Sequence, residues 1–575
     1  MTGDVLGQSV EPLLAAMSLP DKIGQLITHL VYGASADEPD DRNTDLFGVA
    51  TPAEVVAKYR LGGVIYFAWA GNTADPQQIG RLSNGLQQAA GRAGLPGLII
   101  GTDQETGRVA RMGPPATQFP GAMALAATHD AGAVRVAYRI TGAELAAVGV
   151  NTCFAPVADV NIDQANPVIG IRSFSSEPDV VAEYVRAAIA GLQRDAGPEL
   201  GSPSPGDSEA RVGSGLAAAA KHFPGHGDTS TDSHHALPTV THSAADWEAV
   251  DALPFAEAVR AGVEMIMTGH LAFPAIDPSG DPATLSSPIL TGLLRDRLGY
   301  TGVIITDSLR MQGVRELHDD GEIAVRAIEA GVDILLEPAD PDAAVAAITD
   351  ALASGRLTEQ RIDASVRRIL QLKQRRGLLR PVATSPNRIA AVVGSDDHQR
   401  EARAITAASI TLIRDDGDLI PLRRAPVCLL GADEAAVHRV AAGLQTAGLE
   451  VSGLVTGPRP DRDMINAARA CAHPAAQTVI ITSAAWLSRW QRTMVRAVRE
   501  VTGRVVLVAI TDPYDAGLVT AGGTMLLSYS ATPIALDAVV DVLLGTSRPV
   551  GRLPVTVGEN RDHPLFPYRA GIVRG

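Results

Sequence analysis

Short, unbroken apolar runs recur through the first two-thirds of the chain: GGVIYF (62–67), GLIIGTD (97–103), GVNTCFAPVADV (149–160), AAAAKHF (217–223), VEMIMTGH (263–270), GVIITDS (302–308) and VDILLEP (332–338). Continuous rather than alternating hydrophobicity is what a strand buried on both faces requires. Between these runs lie stretches with helical spacing of apolar positions, such as DPQQIGRLSNGLQQAAGRAG (75–94) and GAVRVAYRITGAELAAVG (132–149). Strand–helix units repeated in this way predict parallel strands and an α/β fold, most economically a TIM (β/α)8-type barrel. Seven strands are legible rather than eight.

The helical stretch RIDASVRRILQLKQRRG (361–377) ends in basic residues and Gly377, a C-cap signal that closes the series. A linker is expected over 378–390. Beyond it a second series begins: APVCLLGA (425–432), QTVIITS (477–483), GRVVLVAITDP (503–513) and GTMLLSYS (523–530). The expected organisation is therefore a barrel over 1–377 followed by a smaller α/β sandwich domain over 391–575. Within the barrel, 194–215 is rich in Gly, Ser and Pro and reads as a flexible surface insertion.

Polar residues cluster just after the apolar runs: Asp103, Asp159, His222, His270, Asp307 and Glu337. The carboxyl ends of barrel strands form the face on which active sites are built. A doubly wound sheet also places ligands at its strand ends, so the clustering predicts chemistry more than it predicts closure.

Composition narrows the partners. A formal net charge of −15 argues against nucleic acid or an anionic membrane surface. No apolar run is long enough to cross a bilayer, and the N-terminal stretch lacks a basic segment followed by an apolar core, so no secretory signal is read there. Cys153, Cys428 and Cys471 are odd in number, far apart and without metal-ligand spacing, which predicts a reducing compartment and no disulfide. A cytoplasmic protein is expected.

Four stretches could carry chemistry. DQETGRVAR (103–111) places Asp103, Glu105, Arg108 and Arg111 after an apolar run, as a binding site or a salt-bridged loop would. IGIRSFSSEP (169–178) sets Arg172 among small residues. GVIITDSLRM (302–311) ends a strand in Asp307, as a nucleophile or as a helix cap. KHFPGHGDTSTDSHHALP (221–238) holds four of the chain's 13 histidines and one of its four lysines, Lys221. Pro224, Gly225 and Gly227 break any helix there, and the spacings of recognisable metal sites are absent. The pair Asp232–His234 suits an acid/base arrangement, in which the carboxylate fixes the imidazole tautomer and the other nitrogen exchanges a proton. A metal site and a structural loop remain the alternatives.

In this order on a barrel, DQETGRVAR, IGIRSF, KHFPGHGDTSTDSH and VIITDSLRM resemble glycoside hydrolase family 3, and within it the bacterial β-N-acetylglucosaminidase branch. GRLPV (551–555) resembles the closing segment of the family's two-domain form. The resemblance implies Asp307 as nucleophile, His234 as general acid/base and Asp232 as its orienting partner. It implies that Asp103, Arg111, Arg172, Lys221 and His222 bind a terminal GlcNAc, with no metal and no cofactor. His226 and His235 match no such role and are left to loop shape or surface. Thr106 departs from the pattern, standing where glycine is frequent. A terminal β-linked GlcNAc on a cell-wall fragment or chitooligosaccharide is the implied substrate. A phosphorylase releasing GlcNAc 1-phosphate and a GlcNAc-binding sensor without turnover are the rival expectations.

Overall fold

The computed structural model describes residues 9–194, 215–519, 523–558 and 563–573. Residues 195–214, nearly all of the expected insertion, lie outside them. Eight strands form one parallel sheet: β1 Ile27–Leu30, β2 Gly63–Tyr66, β3 Ile99–Thr102, β4 Thr152–Cys153, β5 Ala217–Phe223, β6 Met265–Thr268, β7 Val303–Ile305 and β8 Leu335–Leu336. Their spatial order is β7-β6-β5-β4-β3-β2-β1-β8. A parallel bridge between Ile305 and Ile334 joins the two ends, supported by Thr306 N–H donating to Ile334 O at 3.0 Å. The result is a TIM-type barrel.

Every residue of these strands is buried, as their unbroken hydrophobicity predicts. The strand that the pattern leaves out is β1. Its four residues, ITHL, carry Thr28 and His29 at their centre and follow the helix Leu19–Gln25 after a single residue. Neither an apolar run nor a turn signal marks it. The helices expected over 75–94 and 132–149 occur as Pro76–Arg92 and Ala131–Ala147, each entered through an Asp N-cap, Asp75 and Asp130. Gly377 sits at φ +71 after the helix Glu359–Arg375, the left-handed stop its position predicts.

A second sheet comprises β9 Thr411–Asp415, β10 Val427–Gly431, β11 Val451–Val455, β12 Gln477–Thr482, β13 Val505–Ala509 and β14 Thr524–Leu527. Its order is β11-β10-β12-β13-β14-β9, parallel except for β9. Helices Glu434–Thr446 and Pro533–Leu544 cover one face through Val437, Val440, Leu536 and Val539. The other face packs on Arg462–Ala472 and Arg489–Arg499, and on Met123, Ala124 and Ala127 from the barrel. This is the α/β sandwich.

Several contacts fasten the two bodies together. Glu144, buried in the barrel helix, accepts from Thr117 Oγ1 at 2.6 Å and Gly394 N–H at 3.0 Å, and pairs with His398 Nδ1 at 2.8 Å. Leu553 and Val555 of the GRLPV segment are buried in the second core beside Ala127, whose carbonyl accepts the Arg552 N–H at 3.0 Å.

The cysteine expectation is corrected here. Cys428 on β10 and Cys471 on the helix Arg462–Ala472 form a disulfide, with Cα atoms 5.7 Å apart, and only Cys153 is a free thiol. A separation of 43 residues hides the pairing in the sequence, because the packing of the helix onto its strand is what brings the two sulfurs together. The argument from cysteines to a reducing compartment therefore falls. No described helix is long and apolar enough to cross a membrane.

Candidate functional site

The carboxyl ends of the barrel strands carry one connected polar network. Asp103 follows β3 and accepts from Lys221 Nζ at 2.8 Å, while Arg111 approaches its other oxygen at 3.6 Å. Glu105 receives Arg172 through two hydrogen bonds of 2.8 Å and Lys221 at 2.6 Å. Burial pushes the Glu105 carboxyl up, but the Arg172 and Lys221 charges outweigh it and hold the group well below the usual carboxylate range. Lys221, buried in turn, is kept charged by Asp103 and Glu105 against its own desolvation.

Lys221 and His222 are neighbours on β5, yet both reach carboxylates of this network. Successive residues of a regular strand point to opposite faces, and a register shift between Lys221 and Phe223 breaks the alternation here. His222 Nδ1 lies 2.7 Å from Asp159 Oδ2, and its Nε2 lies 4.0 Å from Asp307 Oδ2. Asp159 is fully buried, and its other oxygen accepts the backbone N–H groups of His222 and His226. It thereby ties the root of the 221–238 loop to the barrel.

Asp307 follows β7, its backbone N–H bonded to Thr268 O and its Oδ1 accepting the Ser308 N–H at 2.7 Å. Burial raises its pKa, but the charges of His222, His270 and Lys221 with the Ser308 bond outweigh that, so the carboxyl lies below its ordinary value. An ionised, well-held carboxylate at a strand end can attack an electrophilic carbon. Glu337, after β8, is the opposite case. Burial pushes it up to about 7, with Asp103 and Asp307 adding to the effect.

Asp232 and His234 form a pair of their own on the tip of the 221–238 loop. Asp232 Oδ1 accepts the His234 N–H at 2.9 Å and lies 2.7 Å from its Nδ1. Burial pushes Asp232 up, and the His234 contacts bring it below the usual range. The His234 side chain is 58% exposed, which leaves Nε2 open to a substrate. Among the described residues no hydrogen bond or ion pair joins His234 to Asp307. Asp103, Arg111, Arg172, Lys221, His222 and Asp307 are thus brought together, and the Asp232–His234 pair is carried further along the loop whose root holds Lys221 and His222.

His226 is buried with Nδ1 2.7 Å from Thr229 Oγ1 and Nε2 3.0 Å from Ser233 Oγ, and burial with the neighbouring His222 lowers it to about 4. Both nitrogens are engaged in shaping the loop. Asp228, in the same loop, pairs with His242 Nδ1 at 3.2 Å, whose Nε2 reaches Asp251 at 3.1 Å. Thr106 adopts φ +76, a left-handed conformation in which glycine is unstrained, so the glycine preference at this position has a backbone cause.

Sequence reasoning left Glu105 between a binding site and a salt-bridged loop, and gave no role to two further groups. Glu105 is the centre of the cation network. His242 anchors the loop from a position no motif marks. Phe67 and Trp69, after β2, stack with ring centroids 5.0 Å apart, Trp69 is 58% exposed, and the Arg111 guanidinium lies 5.8 Å from the Phe67 ring. An exposed aromatic after an apolar run was the available signal.

A barrel with charged side chains gathered on its carboxyl face is the arrangement in which barrel enzymes build their active sites. More narrowly, the chain belongs to glycosyl hydrolase family 3, whose N-terminal domain model matches residues 18–372. The structure of a glycoside hydrolase family 3 beta-N-acetylglucosaminidase from Paenibacillus sp. str. FPU-7 is 34% identical, with a TM-score of 0.83 over 95% of this chain and 100% of that one. A beta-hexosaminidase A from Pseudoalteromonas piscicida is 38% identical over 399 residues, covering 64% of this chain and 62% of its own length. This chain thus spans about three-fifths of that relative. A protein named beta-N-acetylglucosaminidase/beta-glucosidase from Cellulomonas fimi is 28% identical over 559 residues, covering 88% of this chain and 94% of that protein.

Proposed function

We propose that the protein is a retaining β-N-acetylglucosaminidase that removes terminal β-linked GlcNAc from cell-wall fragments or chitooligosaccharides. The observation that carries the reading is the division of labour at the barrel mouth: an ionised Asp307 beside a buried cation–carboxylate network, and a separate His–Asp pair with an open imidazole nitrogen. Names of relatives with beta-N-acetylglucosaminidase or beta-hexosaminidase activity support it.

In this reading the sugar hydroxyls meet Asp103, Arg111, Lys221, Arg172 and His222. Asp307 attacks the anomeric carbon through an oxocarbenium-like transition state and forms a glycosyl ester. His234, oriented by Asp232, protonates the departing oxygen and then takes a proton from the incoming acceptor. A histidine donor becomes neutral where a carboxylic acid would become anionic, which lessens repulsion toward anionic aglycones or acceptors.

Release of p-nitrophenol from its β-GlcNAc glycoside, beside the β-glucoside, tests the reading. Turnover of the GlcNAc compound is expected, and preference for the glucoside overturns it. Asp307→Ala is expected to lower kcat by at least ~10⁴-fold. Product analysis in phosphate buffer tells GlcNAc from GlcNAc 1-phosphate, and so water from phosphate as the acceptor.

A further inference from the structure

A second cavity, of about 590 Å³, opens between the barrel loop 164–171 and the segments that follow β12, β13 and β14. That volume is in the range of small-molecule sites, roughly 300–1,000 Å³. It includes none of the network residues described above. It also lies where an open parallel sheet presents its strand carboxyl ends, the edge at which such sheets take ligands.

We propose that this cavity is a second saccharide-binding site, built jointly by the barrel and the second sheet, for a neutral GlcNAc oligosaccharide. Its charge is the first argument. Among the described residues Arg108 and Asp512 are the only charged ones that line it, one of each sign, and no cationic surplus there favours a polyanion. Its chemistry is the second. Trp486, Leu487, Ile169 and Ile171 supply apolar and aromatic surface, and the hydroxyl-bearing residues Ser483, Thr511, Ser530 and Thr532 line the same space. Apolar ring faces edged with hydroxyls are what sugars offer in return.

The third argument is the state of its polar atoms. Trp486 Nε1 and Asp512 Oδ1 are buried and complete no hydrogen bond of normal geometry, and burial pushes the Asp512 carboxyl up, with the nearby indole only partly opposing it. A donor and an acceptor left open in one wall cost free energy until a ligand hydroxyl bridges them. Asp515 holds the Trp486 backbone in place, accepting its N–H at 2.8 Å.

The site shares a wall with the catalytic network. Ile169, Gly170 and Ile171 line the cavity, while Arg172 turns away to Glu105 and donates to Val168 O at 3.1 Å. A sugar held here would sit one loop away from the terminal-GlcNAc pocket, retaining an oligosaccharide between successive cleavages.

The choice of probe rests on the glycosidase reading. Calorimetric titration of N,N′-diacetylchitobiose into the full chain carrying Asp307→Asn, which suppresses turnover, is expected to show two binding events. Trp486→Ala and, separately, Ala531→Trp, which fills the cavity from an exposed lining position, should each remove one of them. Ala531→Trp in the unsubstituted background should leave turnover of p-nitrophenyl β-GlcNAc unchanged. A single event untouched by both substitutions overturns the proposal, as does the absence of any binding by a chain that turns over the p-nitrophenyl substrate. Absence of that turnover counts against the glycosidase reading instead, and an event lost in Ala531→Trp would still establish the site.

Discussion

Glu105 shows how unevenly charge is valued at the barrel mouth. It is 3% exposed and receives both Arg172 and Lys221, so two buried cations depend on it and on Asp103. Removing one member of such a set leaves uncompensated charge in a low-dielectric site. Glu105→Gln is therefore expected to cost about 3–5 kcal/mol of stability, read as a lowered urea midpoint, and to raise KM through Lys221 and Arg172. His234 is the contrary case, exposed and joined to little but Asp232. His234→Ala should leave the urea midpoint unchanged and slow substrates with poor leaving groups by ~10²–10⁴-fold, with a much smaller effect on activated aryl glycosides, the signature of lost general-acid catalysis. Equal losses on both substrates would remove it from that role. The lysines carry a related lesson: of four in the chain, Lys22, Lys221 and Lys373 are all at most 9% exposed. Lys373, with Gln25 as its partner at 2.6 Å, is pushed by burial down to about 7.

At the scale of the element, the 221–238 loop is fastened at its root and open at its tip. Asp159, the Trp247 indole donating to Pro224 O at 2.8 Å, and the Asp228–His242–Asp251 set hold the root. Hydrogen bonds to the Asp228 and Asp251 carboxylates, which favour the protonated imidazole, raise His242 to about 9, above its ordinary value of 6.5, against the effect of burial. A group whose pKa is raised by folding contributes stability that is fully present below its unfolded pKa and lost as pH rises through the folded one. The contribution of His242 is therefore complete below about pH 6.5 and disappears between there and pH 9. Comparison of the native chain with His242→Asn by urea unfolding should show a gap of about 2 kcal/mol at pH 6, closing by pH 10. A gap independent of pH would show that the imidazole charge is not what holds the loop.

For the whole molecule, the disulfide and the interface decide how the second sheet behaves. The Cys428–Cys471 bond closes a 43-residue loop, and a cross-link of that span contributes roughly 2–4 kcal/mol. Reduction with a thiol should lower the melting temperature, and Cys428→Ser/Cys471→Ser should reproduce the shift and abolish its sensitivity to reductant. Identical melting with and without reductant would mean that the bond adds nothing. Initial turnover should survive reduction below the new melting temperature, because the catalytic network lies wholly on the barrel.

The barrel was legible from sequence wherever one interaction repeats along the chain. Runs such as GGVIYF and VEMIMTGH must be buried on both sides, and the caps at Asp75, Asp130 and Gly377 act within a single turn of helix, so local pattern carries the information. The gathering of Asp103, His222 and Asp307 was legible for the same reason: each follows an apolar strand, and parallel strands in a barrel bring their carboxyl ends to one face. What the sequence could not hold were relations between distant elements. β1 became a strand because a barrel lacking it would leave β2 and β8 with unpaired edges, not because ITHL has a strand pattern. Cys428 met Cys471 across 43 residues, and His242 met Asp228 and Asp251 at shorter range, in each case through packing that no local pattern marks. The cavity beneath Trp486 exists only because the barrel loop 164–171 is laid against the carboxyl edge of a second sheet. By itself the sequence determined the elements and which of them end in reactive side chains. Tertiary structure decided which charges are buried together, since burial sets both the cost of a charge and the partner that offsets it.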